Sequence, residues 1–370
     1  MKSKTLNPIE KEAFGKEIEA LRKEFQAKIG EEDAKHIQRT YSLYRGSEIA
    51  GRAILHFSFD PISFVVGTLL LSASKIINNM ELGHNVMHGQ YDWMRDPRFD
   101  SRTFEWDIVS DSKQWKFYHN YIHHTYTNVL GKDHDFGYKF TRLTKEQNWN
   151  WTHLFQPISN LFLAFHFQWG VGGHGYKVEY LEKPRKQRTK RTLKDYRDVF
   201  FKKIERQLFK DYVFFPLLAG FGAPKVFLGN LIANGIRNLW TYAIIFCGHF
   251  TEEAEVFPVS VLENETKAEW YLRQLKGSSN LSGSKFFYFM SGHLSHQIEH
   301  HMFPDIPAKR YEEMAPKLQE ICARYEQNYN NGGFVSQFAS VWKKIFVYAL
   351  PNSMLGERER ETVVAVPEFN

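Results

Sequence analysis

The chain has 370 residues and a mass of 43.6 kDa, is 43% apolar and 16% aromatic, and has a mean hydropathy of −0.46. That apolar fraction excludes a disordered polypeptide, and 32 Phe, 18 Tyr and 9 Trp suit surfaces where an apolar medium meets a polar one. A net charge of +6 is too mild for a nucleic-acid partner, and two cysteines, Cys247 and Cys322, make neither a disulfide scaffold nor a thiolate zinc cluster.

Charges interrupt the segment Met1 to Glu48 throughout, so no secretory signal is expected and the chain is expected to begin on the cytosolic side. Phe14, Ile18, Leu21, Phe25 and Ile29 recur at helical spacing, which predicts an amphipathic helix ended by Gly30 and used for packing or surface attachment. From Ile49 to Ile77 the sequence turns apolar, with Asp60-Pro61 as an N-cap and first helical residue, which predicts a helical hairpin. Its second arm, Ile62 to Ile77, spans about 24 Å against a hydrocarbon core of about 30 Å, and continuing to Met80 closes the gap.

Gln147 to Tyr176 holds no Asp, Glu, Lys or Arg, but only the fourteen residues Ile158 to Val171 are strongly apolar. That length predicts an interfacial helix rather than a span. Lys183 to Lys194 carries seven Lys or Arg and no acid, the pattern of a solvated face or of a cytosolic loop beside a bilayer. A second apolar pair, Tyr212 to Leu218 and Val226 to Phe250, is joined through Gly220, Gly222 and Pro224 and interrupted by Arg237. On its second arm Asn230, Asn234 and Asn238 form a polar stripe that continues toward His249 and must face a partner helix or a cavity. The mean hydropathy permits a few spans beneath a large polar cap.

Eight of the 16 histidines fall in three windows, His84 and His88 in GHNVMHG, His119, His123 and His124 in HNYIHH, and His296, His300 and His301 in HQIEHH. On a helix, residues four apart share a face, so each window aims two imidazoles at one point, and His124 and His301, one position round, address a neighbouring point. Two identical HxxxHH spacings and an HxxxH predict a polynuclear imidazole site, and spacing alone leaves iron, copper, zinc and nickel open.

At these residues the sequence resembles the membrane fatty acid desaturase family from about Ile49 to Tyr311. The boxes stand in the family's order, and Gln297-Ile298-Glu299-His300-His301 followed by Met302-Phe303-Pro304 resembles its QIEHH branch. The resemblance implies an all-α, integral membrane helical bundle of about four spanning helices, with a cytosolic helical cap that holds a histidine-rich di-iron site. It divides the chain into a cytosolic amphipathic region at 1–45, the desaturase unit with its cap at 46–350, and a tail at 351–370.

The implied activity is dioxygen-dependent insertion of a cis double bond into a long-chain acyl-CoA or acyl-lipid. Carried over position by position, the implied iron ligands are His84, His88, His119, His123, His124, His300 and His301. His249 in FCGHF is the isolated extra ligand, with Ile245 where some relatives have asparagine, and either His296 or Gln297 completes the set. Glu81, Asp107, Asp133, Asp135 and Glu299 are candidates to hold the imidazoles from behind. His293 is a weaker ligand candidate, while His56, His134, His153, His166 and His174 read as structural or interfacial.

The sequence lacks a haem-cytochrome HPGG motif, a dinucleotide fingerprint and an iron-sulfur cysteine set. A separate donor, a ferredoxin or a flavin/iron-sulfur reductase, is therefore the expected electron source, and membrane lipids are the expected surroundings. Two rival readings are a di-iron membrane hydroxylase and a bis-histidine haem electron carrier. The QIEHH form disfavours the first, and the polar flanks of the boxes disfavour the second.

Overall fold

The computed structural model describes residues 3–176 and 190–356. Most of the expected tail and most of the basic run Lys183 to Lys194 lie outside the described residues. Helix α1 (Pro8–Gln26) begins at Asn7, whose side chain accepts from the Glu10 N–H while the Glu10 carboxylate accepts from Asn7 N–H, a reciprocal cap. Phe14, Ile18, Leu21 and Phe25 are buried along it as the spacing predicts. The predicted stop is displaced, because α1 ends before Ile29, and Gly30 instead precedes the next helix, α2 (Glu31–Phe57).

Asp60 caps α3 as expected, accepting from Ser63 N–H at 2.9 Å, with Pro61 as its first residue. Helix α3 (Pro61–Met87) continues past the apolar run through a π-helical stretch, Asn78–His84, into the first histidine box. Helix α4 (residues 112–126) repeats this device, with π-helical Phe117–His123 between α-helical ends. Such wide turns insert one extra residue and re-aim the side chains that follow.

The single interfacial helix expected over Ile158 to Val171 is two helices, α5 (Gln156–Phe165) and α6 (Phe167–Tyr176), broken at His166. The break is held locally: His166 Nδ1 bonds the Phe162 carbonyl, and Asn238 Nδ2 donates to the freed Phe165 carbonyl at 2.7 Å. Ile158, Leu161, Phe162 and Phe165 stay exposed. The short expected arm Tyr212 to Leu218 is the end of a much longer helix, α7 (residues 190–218), with a π-helical stretch at Lys210–Phe214. Helix α8 (Ala223–His249) carries the asparagine stripe and ends on a histidine.

Next come α9 (Lys267–Lys276), strand β1 (Asn280–Ser282), α10 (Lys285–Met290), α11 (Gln297–Met302), α12 (Tyr311–Arg324), strand β2 (Asn331–Gly333) and α13 (Phe334–Val347). The chain is mostly helical. A wholly helical fold misses one detail, the parallel pairing of β1 with β2 in which Leu281 faces Gly332.

Helices α1, α9, α11 and α12 share a buried apolar core that includes Phe14, Phe25, Tyr271, Ile298, Phe303 and Leu318. Helices α2, α3 and α8 pack together elsewhere through Leu55, Leu71, Val226 and Ala233. Around the two hairpin turns Phe57, Phe59, Ile62, Val65, Leu217, Leu218 and Phe221 are exposed, an apolar surface without cover. Among the described residues one helix, Pro61–Met87, is long and apolar enough to cross a membrane. Helix α2 joins the two packing regions and runs through residue 45 without a break.

Candidate metal centre

Four segments converge between the cap and the upper ends of α3 and α8. The first box lies where α3 leaves its π-helical stretch, the second on the π-helical part of α4, the third on α11, and His249 ends α8. Gly292, at φ +67°, lets the loop before the third box cross the first: a Cβ there would meet the backbone carbon of Met80 at 2.7 Å.

Three groups of imidazoles result. His84, His88, His119 and His300 form one, His123, His249 and His301 a second, and His124 with His300 and His301 a third, with the nitrogens of each group within 4.8 Å of one another. His84 and His119 approach at 3.3 Å between their Nε2 atoms, and His123 and His249 at 3.2 Å. His300 and His301 are shared between groups, so the three groups form one continuous imidazole cluster rather than three separate sites.

The backs of five of these rings are held by protein. Asn85 Oδ1 faces His84 Nδ1 at 3.1 Å, Asp133 faces His123 Nδ1 at 3.0 Å, and Asp135 lies 3.5 Å from His119 Nδ1. The Gly277 carbonyl accepts from His249 Nδ1 at 3.1 Å, and Gln274 Oε1 and Thr127 Oγ1 reach His301 Nδ1 at 3.1 and 3.2 Å. Asp133 is itself held by the Asn128 and Asp135 backbone N–H groups. These contacts fix ring orientation and point the Nε2 atoms inward.

The inward atoms have no protein partner. His88 Nε2, both nitrogens of His124 and of His300, His301 Nε2 and Gln297 Oε1 are buried and unbonded, a density of orphaned polar atoms that native cores do not carry unless something else binds them. Burial and the neighbouring imidazoles push His124, His300 and His301 well below the ordinary histidine value, and burial lowers His119 too. His123 goes the other way: burial disfavours its charge, but Asp133 outweighs it. Neutral imidazoles with free lone pairs are ligands in waiting. Nitrogens bound about 2 Å from one ion sit roughly 3 Å apart, as the His84–His119 and His123–His249 pairs do. The donor set therefore fits metal ions.

Of the predicted ligands, the structure brings His84, His88, His119, His123, His124, His249, His300 and His301 together, and it brings Gln297 beside them, with Nε2 2.9 Å from His249 Nε2. His296 is the correction. It precedes α11 with φ −105° and ψ 58°, so its ring turns away from the centre, against Tyr288 and Ser295, and lines a different, polar cavity. The HxxxHH spacing implied a common face, but α11 starts only at Gln297, and residues 296 and 300 do not share a helix.

Of the five expected supports, Asp133 and Asp135 serve. Glu81 instead binds His293 and His36, at 2.8 and 2.6 Å. Burial disfavours charge on His293, but the carboxylates of Glu81 and Glu312 push it up to about 9. Asp107 pairs with Lys75 and Lys210. Glu299, raised by burial to about 7, accepts from Asn280 and Tyr329. Sequence reasoning missed Asn85, Gln274 and Trp115, whose ring stacks on His119 at 4.3 Å. Thr127 stands three residues after His124 of the second box, while Gln274 had no local signal at all.

Beside the histidines a cavity runs between α3, α4, α6 and α8, lined by His84, His119, His123 and His249 at one end and by Trp106, Tyr138, Phe167 and Ile245 along its length. The sequence profile of the fatty acid desaturase family matches residues 61–333. The chain belongs to that family. It is 41% identical over 350 residues to the NADPH-dependent stearoyl-CoA 9-desaturase of Mycobacterium tuberculosis, covering 93% of this chain and 81% of that one. It is 26% identical over 289 residues to the sn-1 linoleoyl-lipid 6-desaturase of Synechocystis sp., 73% of this chain and 77% of that one. A shorter match, 27% over 132 residues, is to human fatty acid desaturase 3, 36% of this chain and 28% of that one. This desaturase is accordingly an oxidoreductase of fatty acyl chains, and its histidine groups are those of a histidine-box metal site.

Proposed function

We propose that the desaturase inserts a cis double bond into a long-chain acyl-CoA at a di-iron centre, using dioxygen and electrons from a separate protein. The buried, unbonded imidazole nitrogens around two points carry this reading. His84, His88, His119 and His300 would hold one iron, His123, His249 and His301 the other, with His124 between them and the Gln297 amide beside His249. When bound, the iron pair would supply the oxidising power for a reaction in which dioxygen, two electrons, two protons and two hydrogens from adjacent methylenes give the alkene and two waters.

The protein's part is placement. Asp133, Asp135, Asn85 and Gln274 lock the rings, which leaves little reorganisation for the redox step. Trp106, Tyr138 and Phe167 give the alkyl chain an apolar sleeve that excludes water and holds two methylenes against the centre. The stearoyl-CoA relative supports a coenzyme A thioester as substrate, and its NADPH dependence supports reducing equivalents that arrive through a ferredoxin or a flavin/iron-sulfur reductase.

The chain is multi-pass in this reading. Four spans come from the apolar part of α2, from α3, from the end of α7 and from α8, with the exposed apolar turns in lipid and the cap in the cytosol. Residues 1–45 lead into the desaturase unit at 46–350, and 351–370 form the tail. Purified protein reconstituted with a reductase and donor, supplied with stearoyl-CoA and dioxygen, should yield a cis-alkene at two irons per chain. A hydroxylated product without alkene would overturn the reading.

A further inference from the structure

Arg237 and Asn238, the last residue of the asparagine stripe, have no part in the metal centre, yet they line the cavity that opens beside it. Arg237, Asn238, Thr241, Ile245 and His249 all line this cavity. It therefore follows α8 for twelve residues, about 18 Å from the histidines to the guanidinium.

Arg237 is 1% exposed and fully engaged on three sides. Its Nε donates to Asn238 Oδ1 at 3.2 Å, Nη2 to Asn234 Oδ1 at 3.1 Å, and Nη1 to the Asp107 carbonyl at 3.2 Å. Both amides are fixed in turn, Asn238 by the Phe165 carbonyl and Asn234 by Asp211 Oδ2 at 3.0 Å. Behind them Lys75 bonds Asp211 at 2.7 Å, so charged groups fill the space beyond the cavity. A guanidinium carries five N–H groups, and three are accounted for. With Gln168, Asn238 and Thr241 the guanidinium makes this stretch of the cavity polar, while Trp106, Tyr138 and Phe167 line its apolar part.

We propose that Arg237, cradled by Asn234 and Asn238, is a specificity-determining residue: it forms a polar stop that limits how far an acyl chain enters and favours a chain end bearing a hydrogen-bond acceptor over a methyl. This rests on the desaturase reading. A methyl group pressed onto this polar floor takes water from the guanidinium and its neighbours and returns no hydrogen bond, whereas a terminal hydroxyl offers them an acceptor. A guanidinium tied to three acceptors does not swing aside for one more methylene. The room between it and the histidines thus fixes how many carbons lie beyond the oxidised bond.

The test compares wild type with Arg237→Leu on a graded series of saturated acyl-CoAs and on ω-hydroxystearoyl-CoA. Products are located by mass spectrometry, and binding is read from the fluorescence of Trp106 and Trp115, which line the cavity. Wild type should show a sharp upper limit of chain length and bind the ω-hydroxy chain at least as tightly as its parent. In Arg237→Leu the limit should move upward by one or more methylenes, and the ω-hydroxy chain should lose about tenfold relative to its parent.

An unchanged limit in folded Arg237→Leu overturns the proposal. If that variant does not fold, wild type alone decides, because an ω-hydroxy chain bound about tenfold more weakly than stearoyl-CoA also overturns it. Absence of alkene from every chain would instead sink the desaturase reading and leave the binding comparison standing.

Discussion

Helices α3 and α8 each pass through two buried polar clusters that differ in one respect. In the first, Lys75, Asp211, Asp107, Lys210, Arg237 and Asn234 bond to one another. In the second, the imidazoles of His88, His124, His300 and His301 turn nitrogens inward to no protein partner at all. A cluster whose charges pair within the protein serves the fold first, whereas one whose neutral imidazoles face one another with open nitrogens serves a ligand, since buried polar atoms are costly unless bound. Burial does not separate the two; the pairing of opposite charges does.

The sharpest way to break this comparison is at His300, which belongs to two imidazole groups. His300→Ala should lower desaturation by more than about a hundredfold and cut the iron content measured by elemental analysis. Full iron with full activity would show that the open cluster is not the metal site. In the charge-paired cluster, Lys75→Met strands Asp211 and should cost about 3 kcal/mol of stability, seen as a lower melting temperature, while molecules that remain folded keep their iron. Between these lies Asp133→Asn, which frees the back of His123 and should weaken metal affinity or activity by about ten- to a hundredfold without comparable loss of fold. The smallest effect is expected at His296: His296→Ala should leave iron content and activity within about twofold, because its ring faces another cavity. A loss as large as that of His300→Ala would return His296 to the centre.

Much of this was legible in sequence where a local signal matched a local structure. Asp60-Pro61 fixed the start of α3, and the apolar spacing of Phe14 to Phe25 fixed the buried face of α1. Of the eight histidines that spacing singled out, seven gather in the imidazole groups and His296 does not. What failed did so because the deciding contact lay far away in the chain. Whether residue 296 or 297 faces the centre depends on where α11 begins, and the supports of His301 come from Gln274 and Thr127, remote in sequence. The asparagine stripe was rightly read as facing something polar, but its partners, Asp211 and Arg237 among them, needed the packing of α7 on α8 to be seen. The three-residue shift of the helix end before Gly30 and the break at His166 were local choices between a glycine that stops one helix and one that precedes the next, and between a straight helix and a capped bend.

The four segments that surround the centre are spread from His84 to His301. At about 5 to 20 residues per second, a ribosome needs roughly ten to forty seconds to travel that far. Throughout that interval the earliest imidazoles wait beside nascent chain with no counterpart, able to capture whichever cation is at hand. Correct loading must therefore follow synthesis of the third box, once all the segments that hold the metal can meet.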